Sequence, residues 1–547
     1  MSVGAFIIMA EAPLVRAQQS PDEKPVMARE TFETPARPMV SGATPATSQG
    51  WKIKSIFTVG ETVYGYRPPG TLDGIGAIAL DKYTVRVFVN HELSAGDGYP
   101  YELANGTVLT GARISFFDVD RTSRRIAKAG LAYDKVIDAG GRNVSNPRQI
   151  NEGTGNPNRD GLSFFCAGWL GLAGTFSLED DVYFTGEERS NGRAYVLDIR
   201  NHVLHVLPQL GRAAFEAICF VDTGDPRTIG ALISDDRDAA PLILYIGQKD
   251  AIGMGTFLDR NGLERGDLYV WVADDGSKNP AEFNGTGESR TGTFKKIDAF
   301  STASARANDP IHFKDQRHQD GAVARMNAFM FSRPEDIGVN PADHTEVVFA
   351  ATGGGVKFAE DNWGTTYHMK LNFEGKTPTA TVTILYDGDD EGGGKFALPD
   401  LGIRNPDNVE WASNGMIYIQ EDRSTKPRDL FGNVSGVEAS IWQLDPKTRD
   451  VVRVIEMDRG AVPRGQADDL PEVIGTWETS GILDVTHLFE TAPGELLLIA
   501  DIQAHSLVGR PLGGERQKQE LVRGGQLIFL SGKPGTTVRK QPFLYDE

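Results

Sequence analysis

DVYFTGEERSNGRAYVLDI, residues 181–199, holds two short runs of β-branched and aromatic residues separated by a polar, glycine-containing turn. Runs of this length and composition read as the two strands of a β-hairpin. The first run ends on two adjacent glutamates, Glu187 and Glu188, followed by Arg189. Neighbouring carboxylates repel, and a single aspartate or asparagine is enough to build a turn. A solvated hairpin tip is one explanation of the pair. A multivalent cation held through oxygen is the other.

The same unit recurs along the chain. TVRVFVNHE (84–92) is followed by ARISFFDVD (112–120), GALISDD (230–236) by LILYIG (242–247), and EVVFAATG (346–353) by TYHMKLNF (366–373). GMIYIQED (415–422) precedes ASIWQLD (439–445), and ELLLIADIQAH (495–505) precedes GQLIFLSG (525–532). With 181–199 this makes six strand pairs. Their spacing is looser than the period of about 40–45 residues of a WD40 array, as in a propeller whose blades carry long loops. The 62 glycines and 29 prolines supply the turns. The expected fold is therefore all-β: a six-bladed β-propeller as first choice, with two packed β-sandwiches as the alternative. Residues 49–547 are read as one domain. An insertion near 251–320, rich in Asp, Gly, Lys and Asn, is expected to stand outside the blades, and residues 1–48 to form an unstructured leader or a degraded export signal.

Composition removes several partners. The net charge of −19 opposes non-specific binding to nucleic acid or anionic lipid. No run approaches the roughly 18 apolar residues of a membrane span. Two cysteines, Cys166 and Cys219, are too few for a disulfide scaffold and lack the CxxC spacing of zinc sites. No GxSxG elbow, phosphate-binding P-loop or HExxH helix is present.

What remains is the chemistry of the strand ends. Equivalent strands of a propeller converge on one mouth, so acids distant in sequence can meet there. The candidates are Asn90, Glu92, Glu187, Glu188, Glu216, Asp235, Asp236, Glu335, Asp422 and His505. Each alone is more simply a turn former or a hydrogen-bonded structural residue; their recurrence points to a shared multi-carboxylate metal site. Oxygen ligands suit calcium, magnesium or manganese, while a sulfur or imidazole among them favours iron or zinc. Cys166, in the glycine-rich stretch DGLSFFCAGW, is a candidate thiolate that binds a transition metal or acts as a nucleophile, or else an inert small hydrophobe or, in an exported protein, a disulfide partner of Cys219. Arg333, before the proline of SRPEDIGVNP, offers a fork suited to a phosphoryl group, or an ordinary pair with a nearby acid. Arg189 has the same two readings.

In order and local wording, VFVNHE, FFCAGW with FTGEE, LGRAAFE, SDD before LYIGQK, SRPEDIGVNP and GMIYIQED resemble the PhoX-type alkaline phosphatases over about residues 70–505. That resemblance implies a β-propeller enzyme with an iron and calcium cluster at the channel mouth, acting on small phosphate esters outside the cytoplasm, in the periplasm or as a secreted protein. By it, Cys166, Glu216, Glu335 and Asp422 fall where iron ligands lie. Asn90, Glu92 and Glu188 fall in segments that supply further ligands or their support, and Arg333 falls where a phosphate is gripped. The sequence departs from the family in carrying Phe215 where a histidine is usual. Its tail, WETSGILDVTHLF (477–489) with LLLIADIQAH (496–505), is similar to phytase-related esterase propellers. Two other functions fit the same acids: a calcium- or manganese-dependent propeller phosphotriesterase or lactonase, and a non-catalytic propeller stabilised by calcium.

Overall fold

A computed structural model describes residues 30–43, 50–150, 161–298, 316–512 and 520–533. The chain is mostly β, built from antiparallel meanders in which strands adjacent in sequence pair as neighbours. The first is Leu72–Ala79, Thr84–His91, Arg113–Asp120 and Ile126–Leu131. The second is Trp169–Gly171, Val182–Gly186, Ala194–Asp198 and Val203–Leu207. Two meanders then share a nine-stranded sheet. One runs from Phe215–Val221 to Gly266–Ala273, the other from Pro334–Val339 to Thr379–Asp387, and Ser289–Ile297 joins their outer strands. The fifth is Pro406–Trp411, Ile417–Glu421, Ser440–Leu444 and Val451–Met457. The last is Trp477–Asp484, Leu496–Ala504 and Gly524–Gly532, completed by Lys52–Thr58 from the other end of the chain. All six strand pairs anticipated from sequence are adjacent antiparallel partners.

The apolar cores lie between successive meanders. Leu197 and Tyr195 pack with Phe88 and Ile114, Phe184 with Phe220, Phe331 and Phe349 with Leu232 and Trp271, and Trp411 with Val348. The largest cluster joins the last meander to the first through Ile499, Phe529, Phe57 and Phe117. Full burial of such side chains stabilises by about 1.5–3 kcal/mol each. The first strand of each meander lies beside the first strand of the next, and Trp477–Asp484 lies beside Leu72–Ala79.

Two expectations about domain boundaries are corrected. The insertion near 251–320 is partly sheet: GDLYVWVA (Gly266–Ala273) buries Leu268, Val270 and Trp271, and Ser289–Ile297 buries Phe294. The acids, glycines and asparagines that made the segment look separate belong to the turns around these strands. Residues 299–315 lie outside the described residues. The leader is likewise not wholly unstructured. Val40–Gly42 pairs with Val451–Met457, Met39 is fully buried, and Phe32 bridges to Ile126. Residues 1–29, including the candidate export signal, lie outside the described residues.

A carboxylate-lined candidate active site

The first strands aim the site. In four of them the register slips by one residue directly after the first pair: Leu72 faces His91, Phe215 faces Asp235, Pro334 faces Ala351 and Pro406 faces Glu421. Two residues then oppose one, the signature of a β-bulge, which bends the strand and re-aims a side chain. The first residue of each bulge is Asp73, Glu216, Glu335 or Asp407. Cys166 holds the same place in the second meander, after the bridge from Phe165 to Glu187. Glu478 follows Trp477 in the last, where the slip comes later. A bulky buried residue followed by a carboxylate or thiol is thus repeated six times. Because the second strands run antiparallel to the first, their ends deliver Glu92, Glu188, Asp236, Asp422 and His505 to the same side.

Ligand-type atoms come together in three overlapping groups: Asp73, Glu92 and Cys166; Cys166, Glu188 and Glu216; and Glu216, Glu335 and Asp407, each with its atoms within 4.8 Å of one another. Cys166 and Glu216 are each shared by two groups, so the three are continuous. The Cys166 thiol donates to Asp73 Oδ2 at 3.3 Å. Gln503 Nε2 donates to Asp73 Oδ2 at 2.8 Å and to Glu92 Oε2 at 3.3 Å. Asn90 Nδ2 donates to the carbonyls of Cys166 (2.6 Å) and Ala167 (3.2 Å), fixing the thiol-bearing segment, while its Oδ1 is buried without a partner. Arg333 borders the last group. Its Nε and Nη2 donate to Asp236 at 2.8 and 2.9 Å, Nη1 donates to Ser424 Oγ at 2.5 Å, and Nη2 lies 3.0 Å from Glu335 Oε1. Its φ is 56°, a left-handed conformation that a non-glycine residue keeps only when its surroundings impose it. Beside it, Asp422 accepts from Ser424 Oγ at 3.0 Å, and His505 Nε2 lies 3.0 Å from Glu478 Oε1.

So many acids in one buried place cannot all carry charge unaided. Burial, then Asp73, pushes Glu92 up to about 8, and burial pushes Asp73 up to about 6. Glu216 is held well above the carboxylate range by burial and by Glu335 and Glu188. Glu188, Glu335, Asp407 and Glu478 are raised for the same two reasons, burial and neighbouring acids. Asp422 alone goes down: against its burial stand a hydrogen bond from Glu478 and the charge of Arg333. Burial holds His505 to about 4, so the ring is neutral. Glu216, 1% exposed, has both carboxylate oxygens buried without any hydrogen-bond partner. Among the described residues, Arg333 is the one arginine or lysine paired with a member of the three groups. A buried carboxylate with two free oxygens, surrounded by others, fits a cation far better than it fits solvent or core. The oxygen donors suit a hard ion, and the Cys166 sulfur adds a position for a softer one.

Of the residues singled out from sequence, Glu92, Cys166, Glu188, Glu216 and Glu335 belong to the three groups. Asp422 and His505 sit beside them with Glu478, and Asn90 lies behind Cys166. Arg189 pairs with the fully buried Glu187 at 3.0 Å. Asp235 is held by Arg237. Asp73, Asp407 and Glu478 are not among the residues expected from sequence, although they hold the same first-strand position as Cys166, Glu216 and Glu335; the repeated dipeptide at the start of first strands is the signal that marks them. Both cysteines are free, and Cys219 is packed among Leu232, Phe294 and Phe331 in the core.

The sequence model of the family described as alkaline phosphatase PhoX matches residues 194–466. No curated protein sequence matches. Among solved structures, Pseudomonas fluorescens PhoX in complex with vanadate, a transition state analogue, is similar at 13% identity, over 92% of this chain and 98% of that one, with a TM-score of 0.58. At that identity the likeness establishes a common fold.

Proposed function

As a member, through residues 194–466, of the family of alkaline phosphatase PhoX, the chain is a phosphoric-ester hydrolase, and we propose that it cleaves phosphate monoesters at the carboxylate-lined mouth with bound calcium and iron. The observation that carries this reading is Glu216, buried with two unpartnered oxygens between two groups of potential ligands and near Arg333. The meanders are the blades of a six-bladed propeller, which places the six first-strand positions around one channel. Asp73, Glu92, Glu188, Glu216, Glu335 and Asp407 would hold the cations with Cys166, while Asp422, Glu478 and His505 line the adjoining wall. Bound metal ions would neutralise the phosphoryl oxygens and supply a hydroxide-like nucleophile near neutral pH.

The chain's own residues position the ester. Arg333 has five N–H groups. Four are engaged by Asp236, Glu335 and Ser424, which leaves one on Nη1 for a phosphoryl oxygen. Asp236 grips the guanidinium from the side, so its plane is set before substrate arrives and costs no reorganisation when charge develops. This fork favours an anionic monoester over a neutral triester or lactone. Arg189 is assigned to holding Glu187 rather than to substrate. Location outside the cytoplasm, in the periplasm or secreted, is part of the proposal.

Release of p-nitrophenol from p-nitrophenyl phosphate and from bis(p-nitrophenyl) phosphate, with and without chelator, tests the reading. Chelator-sensitive turnover of the monoester, inhibited by vanadate, is expected. Chelator-insensitive turnover, or activity on neutral esters alone, would overturn it.

A further inference from the structure

A second group of acids stands apart from the mouth and shares no residue with it. Thr365–Asn372 and Thr379–Asp387 pair with Thr365 opposite Asp387. The second strand runs on into Asp387-Gly388-Asp389-Asp390-Glu391-Gly392, four carboxylates in five residues before a glycine of φ 67°. A different loop lies against it: the Gly388 N–H donates to the Gly364 carbonyl at 2.8 Å, and the Trp363 N–H donates to Asp389 Oδ2 at 2.8 Å. From that loop comes Asp361, which is 2% exposed. Its Oδ1 accepts from Thr365 Oγ1 at 3.3 Å, and its Oδ2 is buried with no partner at all. Thr365, the hydrogen-bond partner of Asp361, stands opposite Asp387, and Trp363, two residues after Asp361, is bonded to Asp389, so the Asp361 carboxylate lies at the acidic turn; burial, then Asp389 and Asp387, oppose its charge. Asp387 is 5% exposed, and burial pushes Asp389 up to about 7. Lysine and arginine form no ion pair with any of the three among the described residues. Backbone N–H groups hold two of them, Gly285 and Asp389 donating to Asp387 at 2.8 and 2.9 Å and Trp363 to Asp389, but none of the three has a basic partner and the buried Asp361 Oδ2 stays orphaned, a deficit that a cation would make good.

We propose that Asp361, Asp387 and Asp389 bind a hard divalent cation, calcium by its chemistry, which clamps the 353–364 loop to the Asp387–Gly392 turn. These carboxylates are not drawn as closely together as those of the mouth, so backbone carbonyls and water must complete the shell, as calcium's six to eight positions allow. The clamp bears on the mouth. In the same loop, a Cβ on Gly354 would stand 2.1 Å from the carbonyl oxygen of Ser424, whose hydroxyl accepts from Arg333. Fixing the loop therefore fixes the floor on which Arg333 rests. The site is independent of the proposed chemistry and stands or falls separately from it.

Trp363 supplies the probe, because an indole beside a bound lanthanide sensitises its emission. Full-length protein is titrated with terbium chloride and excited through tryptophan. Wild type should show a saturable component displaced by calcium. Asp361→Asn and Asp389→Asn should each lose that component, Trp363→Phe should lose the emission while keeping wild-type calcium stoichiometry, and Glu216→Gln should keep it. Melting adds a second readout. Without calcium, Asp361→Asn should melt at or above wild type, having lost an unpaired buried charge; with calcium, it should gain less than wild type does. Unchanged terbium emission and unchanged calcium equivalents in both asparagine variants would overturn the site, as would equal calcium-induced melting shifts in Asp361→Asn and wild type.

Discussion

Replacing Arg333 by lysine keeps the positive charge and removes the fork. The guanidinium makes a two-bond contact with Asp236 at 2.8 and 2.9 Å, and both side chains are largely shielded, at 22% and 8% exposure. A hydrogen bond to a charged group is worth about 1.5–3 kcal/mol. Lysine can reproduce one of the two contacts, so Arg333→Lys should destabilise the fold by about 2 kcal/mol, and Arg333→Ala, which strands Asp236, by about 3–5 kcal/mol. Turnover should suffer more than stability, because a preorganised donor to developing charge is worth about a hundred- to a thousandfold in rate. Urea unfolding, with kcat and KM for p-nitrophenyl phosphate, reads both for Arg333→Lys, Asp236→Asn and the double variant. A coupling energy above about 1.5 kcal/mol between the two positions is expected. Arg333→Gly separates backbone from side chain, since glycine adopts a φ of 56° freely; it should be as inactive as Arg333→Ala while unfolding less readily. The reasoning is refuted if Arg333→Lys keeps kcat/KM within about a factor of two of wild type.

Other consequences can be checked as directly. Glu92 and Asp73 have folded-state values pushed up to about 8 and about 6, above the ordinary 4.5 and 3.8. A raised carboxyl binds its proton more tightly folded than unfolded, so stability is lost as pH rises from the unfolded value through the folded one. Metal-free protein should therefore melt progressively lower between about pH 4.5 and pH 8, and protein supplied with calcium and iron should not; parallel curves would contradict this. Cys166→Ser should lower iron content more than calcium content, because oxygen replaces the one sulfur donor, and equal retention of iron would remove Cys166 from the ligands. Gly354→Ala should reduce turnover with little loss of metal. Its φ is 65° and its new methyl would collide with the Ser424 carbonyl, pushing the support away from Arg333. Wild-type kinetics in that variant would show that the loop does not bear on the arginine.

Much of the sheet structure was legible because second and third strands bury both faces and read as plain apolar runs. Val182–Gly186 and Ala194–Asp198 are buried at every position. First strands read poorly for the reason that makes them functional. Leu72-Asp73-Gly74 and Pro406-Asp407-Asn408 interrupt the apolar pattern with a bulge whose acid faces the mouth. Such a segment looks like a loop when periodicity is the criterion. Glu92, Glu188 and Cys166 were visible as anomalies, whereas Asp73 and Asp407 emerge only when the six strand starts are superposed. Asp361 was invisible: nothing local distinguishes it from a turn former, and its meaning comes from Asp387 and Asp389 across the loop. The strand Val40–Gly42 was lost in a Pro- and Thr-rich leader because three residues carry no period.

The claim on which the rest depends is that the mouth is a metal cluster organised around Glu216. Elemental analysis of purified wild type and Glu216→Gln, run beside p-nitrophenyl phosphate turnover, tests it most directly. The glutamine keeps the shape and removes an unpartnered buried charge, so the variant should fold at least as well as wild type. Calcium and iron should copurify with wild type, and both metal content and turnover should fall together in the variant. Wild type that turns over substrate without metal, or Glu216→Gln with full metal content and full activity, would contradict the account.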